Sequence, residues 1–150
     1  MEELIKYYKE LEKIILSISQ NDWEQIVVRI VKDELRNSIS IFYKQDEGYV
    51  YVTDFIEAGI IDNNEYMFAM LNMTNIASKI KRIFADNKQD LWKTMIFVKN
   101  KGEESSISYT YEELDEDLFA EELTWRYKYL NIIPNEANMK YIEGVEQTLL

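Results

Sequence analysis

The chain has 150 residues, a net charge of −11, 47% hydrophobic residues, and neither cysteine nor histidine. Disulfides and thiolate metal sites are therefore excluded, together with the commonest general base and the commonest metal ligand. The negative charge argues against direct binding to nucleic acid or anionic membrane, whose phosphates select Lys and Arg, while the apolar fraction suffices for a packed core.

Residues 2–20 carry Leu4, Tyr8, Leu11, Ile15 and Ile18 on one helical stripe, with Glu2, Lys6, Glu10 and Lys13 away from it. The pattern predicts a helix packed on a sheet, and the heptad stops at Ser19–Asp22, short of a coiled coil. Charges are spread through this N-terminal segment, unlike a signal peptide, and no apolar run approaches the roughly 20 residues that span a bilayer. A soluble cytoplasmic protein is the expectation.

Trp23 opens a strand over Glu24–Lys32, with Ile26, Val28 and Ile30 on one face and Val27, Arg29 and Val31 on the other. A polar turn over Asp33–Asn37 leads to a second strand, Ser38–Lys44, and a turn ending at Gly48 leads to a third, Tyr49–Phe55. Short connections argue for an antiparallel meander. Asp62, followed three residues later by Glu65, has capping-box spacing. The helix it opens runs to about Phe84, with Met67, Met70, Leu71, Thr74, Ala77, Ile80 and Phe84 as its inward side. Its methionines are expected in the core rather than in an adaptable binding groove.

Trp92–Lys99 is the fourth strand, Asn100–Glu104 a turn around Gly102, and Ser105–Tyr111 the fifth strand. Ile107, Tyr109 and Tyr111 alternate with serine and threonine. Phe119, Leu123, Tyr127 and Leu130 then mark a helix that Pro134 is expected to close, because the residue before a proline is disfavoured in helical geometry. A last helix over about 135–148 has a weaker stripe of Met139, Ile142, Val145 and Leu149, interrupted by Gly144. The order is helix, three strands, helix, two strands, two helices. It predicts one α+β domain over residues 1–150, with an antiparallel sheet of about five strands covered by helices.

Chemistry beyond this is sparse. The chain lacks a Gly-Lys-Ser/Thr phosphate loop, an HExxH motif and an EF-hand loop. Carboxylates remain, and seven lie between Glu112 and Glu122 with no basic residue among them: Glu112, Glu113, Asp115, Glu116, Asp117, Glu121 and Glu122. Three readings stay open. Acids at a helix start cap free N–H groups, complement the helix dipole and present a solvated face. They equally suit a surface for a basic partner. Asp115, Glu116 and Asp117 could also serve a small Mg²⁺-dependent carboxylate enzyme. The aromatics Trp125, Tyr127 and Tyr129, with Tyr109 and Tyr111, could mimic a base-stacking platform, but the charge favours a core and core-edge role.

Several segments resemble the YezG-like immunity (antitoxin) proteins of Gram-positive bacteria. Trp23-Glu24 opens the first strand in DWEQIVVRIVKDE, and the hairpin strand SISIFYK follows. An acidic turn leads into a helix after a tyrosine-rich strand, and WRYKYLNIIPNE (Trp125–Glu136) resembles the family's Tyr-Lys-Tyr…Gly-Ile-Leu-Pro-Glu ending. Asn131 stands where that ending has glycine. The resemblance implies a cytoplasmic neutraliser of a secreted nuclease toxin, often one exported by the type VII system, with no enzymatic residues and no cofactor. Its partner would be a basic toxin domain, met through the Glu112–Glu122 acids by a monomer or homodimer. The alternatives are the carboxylate enzyme and an acidic regulatory or DNA-mimic module.

Overall fold

The computed structural model describes residues 2–142, and the chain falls into two compact units, Met1–Tyr111 and Glu112–Leu150. The larger unit holds α1 (Glu2–Ser17), β1 (Gln25–Lys32), β2 (Asn37–Gln45), β3 (Gly48–Tyr51), α2 (Val52–Glu57), α3 (Asn63–Asp86), β4 (Thr94–Asn100) and β5 (Ser106–Thr110). The smaller unit holds α4 (Leu118–Leu130) and a 3-10 helix, Glu136–Tyr141. This is the α+β class, with one five-stranded sheet in the order β3-β2-β1-β4-β5 and antiparallel pairing throughout.

The period of two in β1 explains why it is central. Ile26, Val28 and Ile30 lie opposite Tyr43, Ile41 and Ile39 of β2 on one side, and Val28 and Ile30 lie opposite Phe97 and Met95 of β4 on the other. All of these join one core with Leu4, Leu11, Ile15 and Ile18 at the N-terminal end and Ala69, Met73, Ile76, Ala77, Ile80 and Phe84 of α3. Full burial of each large aliphatic side chain contributes about 1.5–3 kcal/mol, so the α1 stripe is a main source of its docking energy. The alternate residues Val27, Arg29 and Val31 are buried as well, with Ser40 and Phe42 beside them. A strand covered on both faces reads as a continuous apolar run, as QIVVRIVK does.

Three local expectations change. The third strand ends at Tyr51, and Val52–Glu57 is a helix, with Val52 and Phe55 turned into the core. YVYVTDF has the alternation and β-branching of a strand, but tertiary packing of Val52 and Phe55 outweighs that propensity. In α3 the inward side is rotated. Met73 and Ile76 are buried, whereas Met67 and Leu71 are exposed. The helix carries apolar residues on two sides in its first half, and only one side meets the sheet. Its start agrees with expectation: the Asp62 carboxylate accepts from the Glu65 N–H at 3.0 Å.

The third change is at the end of α4, which stops at Asn131 rather than running to Pro134. Asn131 has φ 55° and ψ 33°, the left-handed conformation that glycine and asparagine tolerate best, and the Ile132 N–H donates to the Arg126 carbonyl at 3.2 Å. Asparagine thus supplies the backbone geometry that glycine would supply at this position. In the last predicted helix, Asn135 caps the 3-10 turn by accepting from the Asn138 N–H. Gly144, Val145 and Leu149 lie outside the described residues.

Candidate functional site

Two acidic features stand out, one in each unit. The first is the Glu112–Glu122 segment. Glu112, Glu113, Asp115, Glu116 and Asp117 are exposed, and Glu121 and Glu122 are half-buried. Their hydrogen bonds separate them. Asp117 is the N-cap of α4, its Oδ1 accepting from the Phe119 and Ala120 N–H groups at 3.1 and 3.2 Å. Asp115 Oδ1 accepts from the Asp117 N–H at 2.9 Å, and Glu121 reaches back to accept from the Asp115 N–H at 3.1 Å. Glu122 pairs with Arg126 one turn on, at 3.1 Å. These four acids organise the helix start, while Glu112 and Glu116 project into solvent without a side-chain partner among the described residues.

Asp115 and Asp117, which a carboxylate enzyme would need, are therefore committed to backbone N–H groups. Among the described residues, no group of three or more aspartates and glutamates is arranged to hold a metal ion.

The apolar and aromatic residues of α4 divide. Leu123 and Leu130 are buried, Trp125 and Tyr127 half-buried, and Tyr129 is 62% exposed. Trp125 and Tyr129 stack at 5.7 Å between centroids, with the Lys128 ammonium 5.3 Å from the Tyr129 ring. Tyr129 is thus a surface ring, not a core-edge one, and Tyr111 is also exposed. On α4, Tyr129 comes one residue before the buried Leu130 and six after the buried Leu123, so it turns away from the side those two share. Phe119 is half-exposed and meets Tyr141 edge-on at 5.2 Å.

The second feature is a groove of about 700 Å³ in the larger unit, where Asp22, Trp23 and Glu24 meet the β2–β3 turn and Lys101. Trp23 is half-buried and donates its Nε1–H to the Ser19 carbonyl at 3.2 Å. The backbone of Glu24 is fixed from both sides: its N–H donates to the Lys44 carbonyl at 2.8 Å, and its carbonyl accepts from the Lys101 N–H at 2.9 Å. The Trp-Glu pair therefore anchors β1 between its neighbours and leaves the Glu24 side chain exposed at the groove. Asp46 and Glu47 add two more carboxylates there, and Gly48, at φ 123°, makes the turn that presents them. Sequence reasoning found Trp23 and Glu24 but missed Asp46 and Glu47, because only the hairpin register brings them to the same rim.

Residues 4–143 match the family described as Immunity protein YezG-like. The chain belongs to that family. The match spans both units and includes Trp23-Glu24, the acidic segment and the Asn131–Pro134 ending. No curated protein matches the chain. No helix among the described residues is long and apolar enough to cross a membrane.

Proposed function

We propose that this YezG-like immunity protein is a stoichiometric, non-enzymatic inhibitor that binds a cognate toxin domain in the cytoplasm, and that the toxin is a secreted nuclease. The observation that carries the reading is the family match, joined to a net charge of −11 and five exposed acids within Glu112–Asp117, a stretch without lysine or arginine. A nuclease binds phosphates with a basic groove, so an acidic inhibitor meets it with complementary charge. Glu112, Glu113, Asp115, Glu116, Asp117, Glu121 and Glu122 form the proposed contact segment. Asp115, Asp117, Glu121 and Glu122 hold its shape, and Glu112 and Glu116 supply free charge. Trp23, Glu24, Trp125, Tyr127, Tyr129 and Pro134 serve as structural positions, and residues 1–150 act as one functional domain.

Complementary charge chiefly raises the association rate and its sensitivity to salt. The test is co-expression with the product of the neighbouring open reading frame, then co-purification and a nuclease assay of the complex. A stable complex with nuclease activity suppressed at a one-to-one ratio is expected. Repeated turnover of a substrate by the purified protein alone would overturn the reading.

A further inference from the structure

The outer side of α3 carries Met67, Phe68 and Leu71, which are 59%, 67% and 59% exposed. Met67 and Leu71 are four residues apart and Phe68 and Leu71 three, so the three side chains lie together on about one turn of helix. They point away from Ala69, Met73, Ile76 and Ile80, the residues that bind α3 to the core. Ile60, in the turn before the helix, is 52% exposed as well. Large apolar side chains grouped this way on a charged protein mark a contact surface more often than isolated ones do.

Charge on the adjoining chain selects the partner. From Tyr49 to Ser78, which takes in α2 and most of α3, the chain has no lysine or arginine and four carboxylates: Asp54, Glu57, Asp62 and Glu65. All four are exposed. A second copy of this chain docking by the same stretch would set these acids against their own kind, because a two-fold interface pairs a surface with itself. A cationic partner would instead find an apolar centre directly preceded by the carboxylates of α2 and of the α3 start, an anchor with charge beside it.

We infer that the outer face of α3, centred on Phe68 and Leu71, is a docking surface for a basic protein, namely the toxin domain this immunity protein neutralises. The inference rests on the proposed immunity function and adds a second, apolar anchor to it, in the larger unit. The three side chains at spacings of three and four are those with which a helix fills a groove on its partner. Charge sets the rate of encounter, and the apolar anchor sets the lifetime of the complex.

The experiment compares the full chain with two variants, using the co-purified toxin domain as the probe. Met67→Gln/Phe68→Gln/Leu71→Gln removes the anchor while keeping strong helix formers on an exposed face. Glu57→Lys reverses a rim charge near the C-terminal end of α2, where a cation suits the helix. The expected result is a triple variant with unchanged circular dichroism and melting temperature, but a complex that dissociates roughly thirtyfold faster or more. Glu57→Lys should slow association severalfold at low salt and leave dissociation nearly unchanged. Equal affinity of the triple variant and the parent chain overturns the α3 surface while leaving the immunity function standing. Failure of the parent chain itself to bind the toxin overturns both. A parent dimer that the triple substitution dissociates, with toxin binding intact, assigns the face to self-association and also overturns the inference.

Discussion

The hydroxyls of Tyr8 and Tyr109 hydrogen-bond to each other across 101 residues of chain, joining α1 to the edge strand β5. The Tyr109 ring also lies 5.0 Å from Phe84 and 5.4 Å from Trp92, so one side chain connects both helices of the core layer to the outermost strand. Tyr109→Phe keeps the rings in place but leaves the Tyr8 hydroxyl without this partner. A loss of about 1 kcal/mol is expected in urea unfolding, and no loss at all would show that the hydroxyl pair contributes nothing net.

Burial raises the Tyr8, Tyr43 and Tyr109 hydroxyls above the ordinary 10.0 and lifts Tyr66 to about 12. In each case desolvation of the phenolate is the main cause. A raised value in the folded state means stability that is fully present below pH 10 and lost as pH climbs through the folded values. Alkaline unfolding should therefore begin above about pH 10, with tyrosinate absorbance rising together with loss of secondary structure. Free titration of every tyrosine near pH 10 in the folded protein would contradict this.

In the β1–β2 turn, Asp33 accepts from the Leu35 and Arg36 N–H groups at 3.0 and 2.7 Å and from the Arg36 guanidinium. The Arg36 hydrogen bond is the chief reason its carboxyl lies below the ordinary 3.8. The sign is the reverse of the tyrosines. Its contribution is present above pH 4 and disappears as pH falls through the depressed value. Asp33→Ala should cost about 1 kcal/mol at neutral pH, in the range of a lost cap, and the gap from the parent chain should narrow in acid.

Asn131 and Asp117 bound α4 at opposite ends. Asn131→Gly should match or exceed the parent in stability, since glycine takes φ 55° without strain, while Asn131→Ala should fall by about 1 kcal/mol. Thermal melts order these three proteins directly. An alanine variant as stable as glycine would mean that the left-handed residue does not limit the helix end.

At the N-terminal end of α4, Asp117→Ala should lower stability by about 1 kcal/mol. Glu116→Lys, one residue earlier, should change it by less than about 0.5 kcal/mol, yet slow association with the toxin at low salt. Stopped-flow mixing at two salt concentrations separates the roles. The same response from both substitutions would mean that the capping and exposed acids are not distinct.

Much of this architecture could be read from residue spacing. The alternation in β1, β2, β4 and β5, the α1 stripe and the Asp62–Glu65 cap each express a local rule that packing obeys. Misreadings arose where two local rules competed. Val52–Phe55 has strand chemistry in a helix, and the first half of α3 has apolar residues on two sides, so periodicity alone could not choose which side faces the sheet. Met67 and Leu71 therefore passed for core residues. The second stripe was itself the available signal, because a single surface helix needs only one. The acidic segment was legible as charge, but its division into capping and free carboxylates required coordinates.

The strand β1 gains its first neighbour quickly, since β2 begins five residues after β1 ends, but its second neighbour, β4, starts at Thr94. Until the ribosome has released about residue 100, one edge of a strand with two apolar faces has open amide and carbonyl groups. Such an edge invites pairing with other chains. Half-made copies of this protein are thus the form most exposed to aggregation, and the long crossover through α3 sets how late in synthesis that hazard ends.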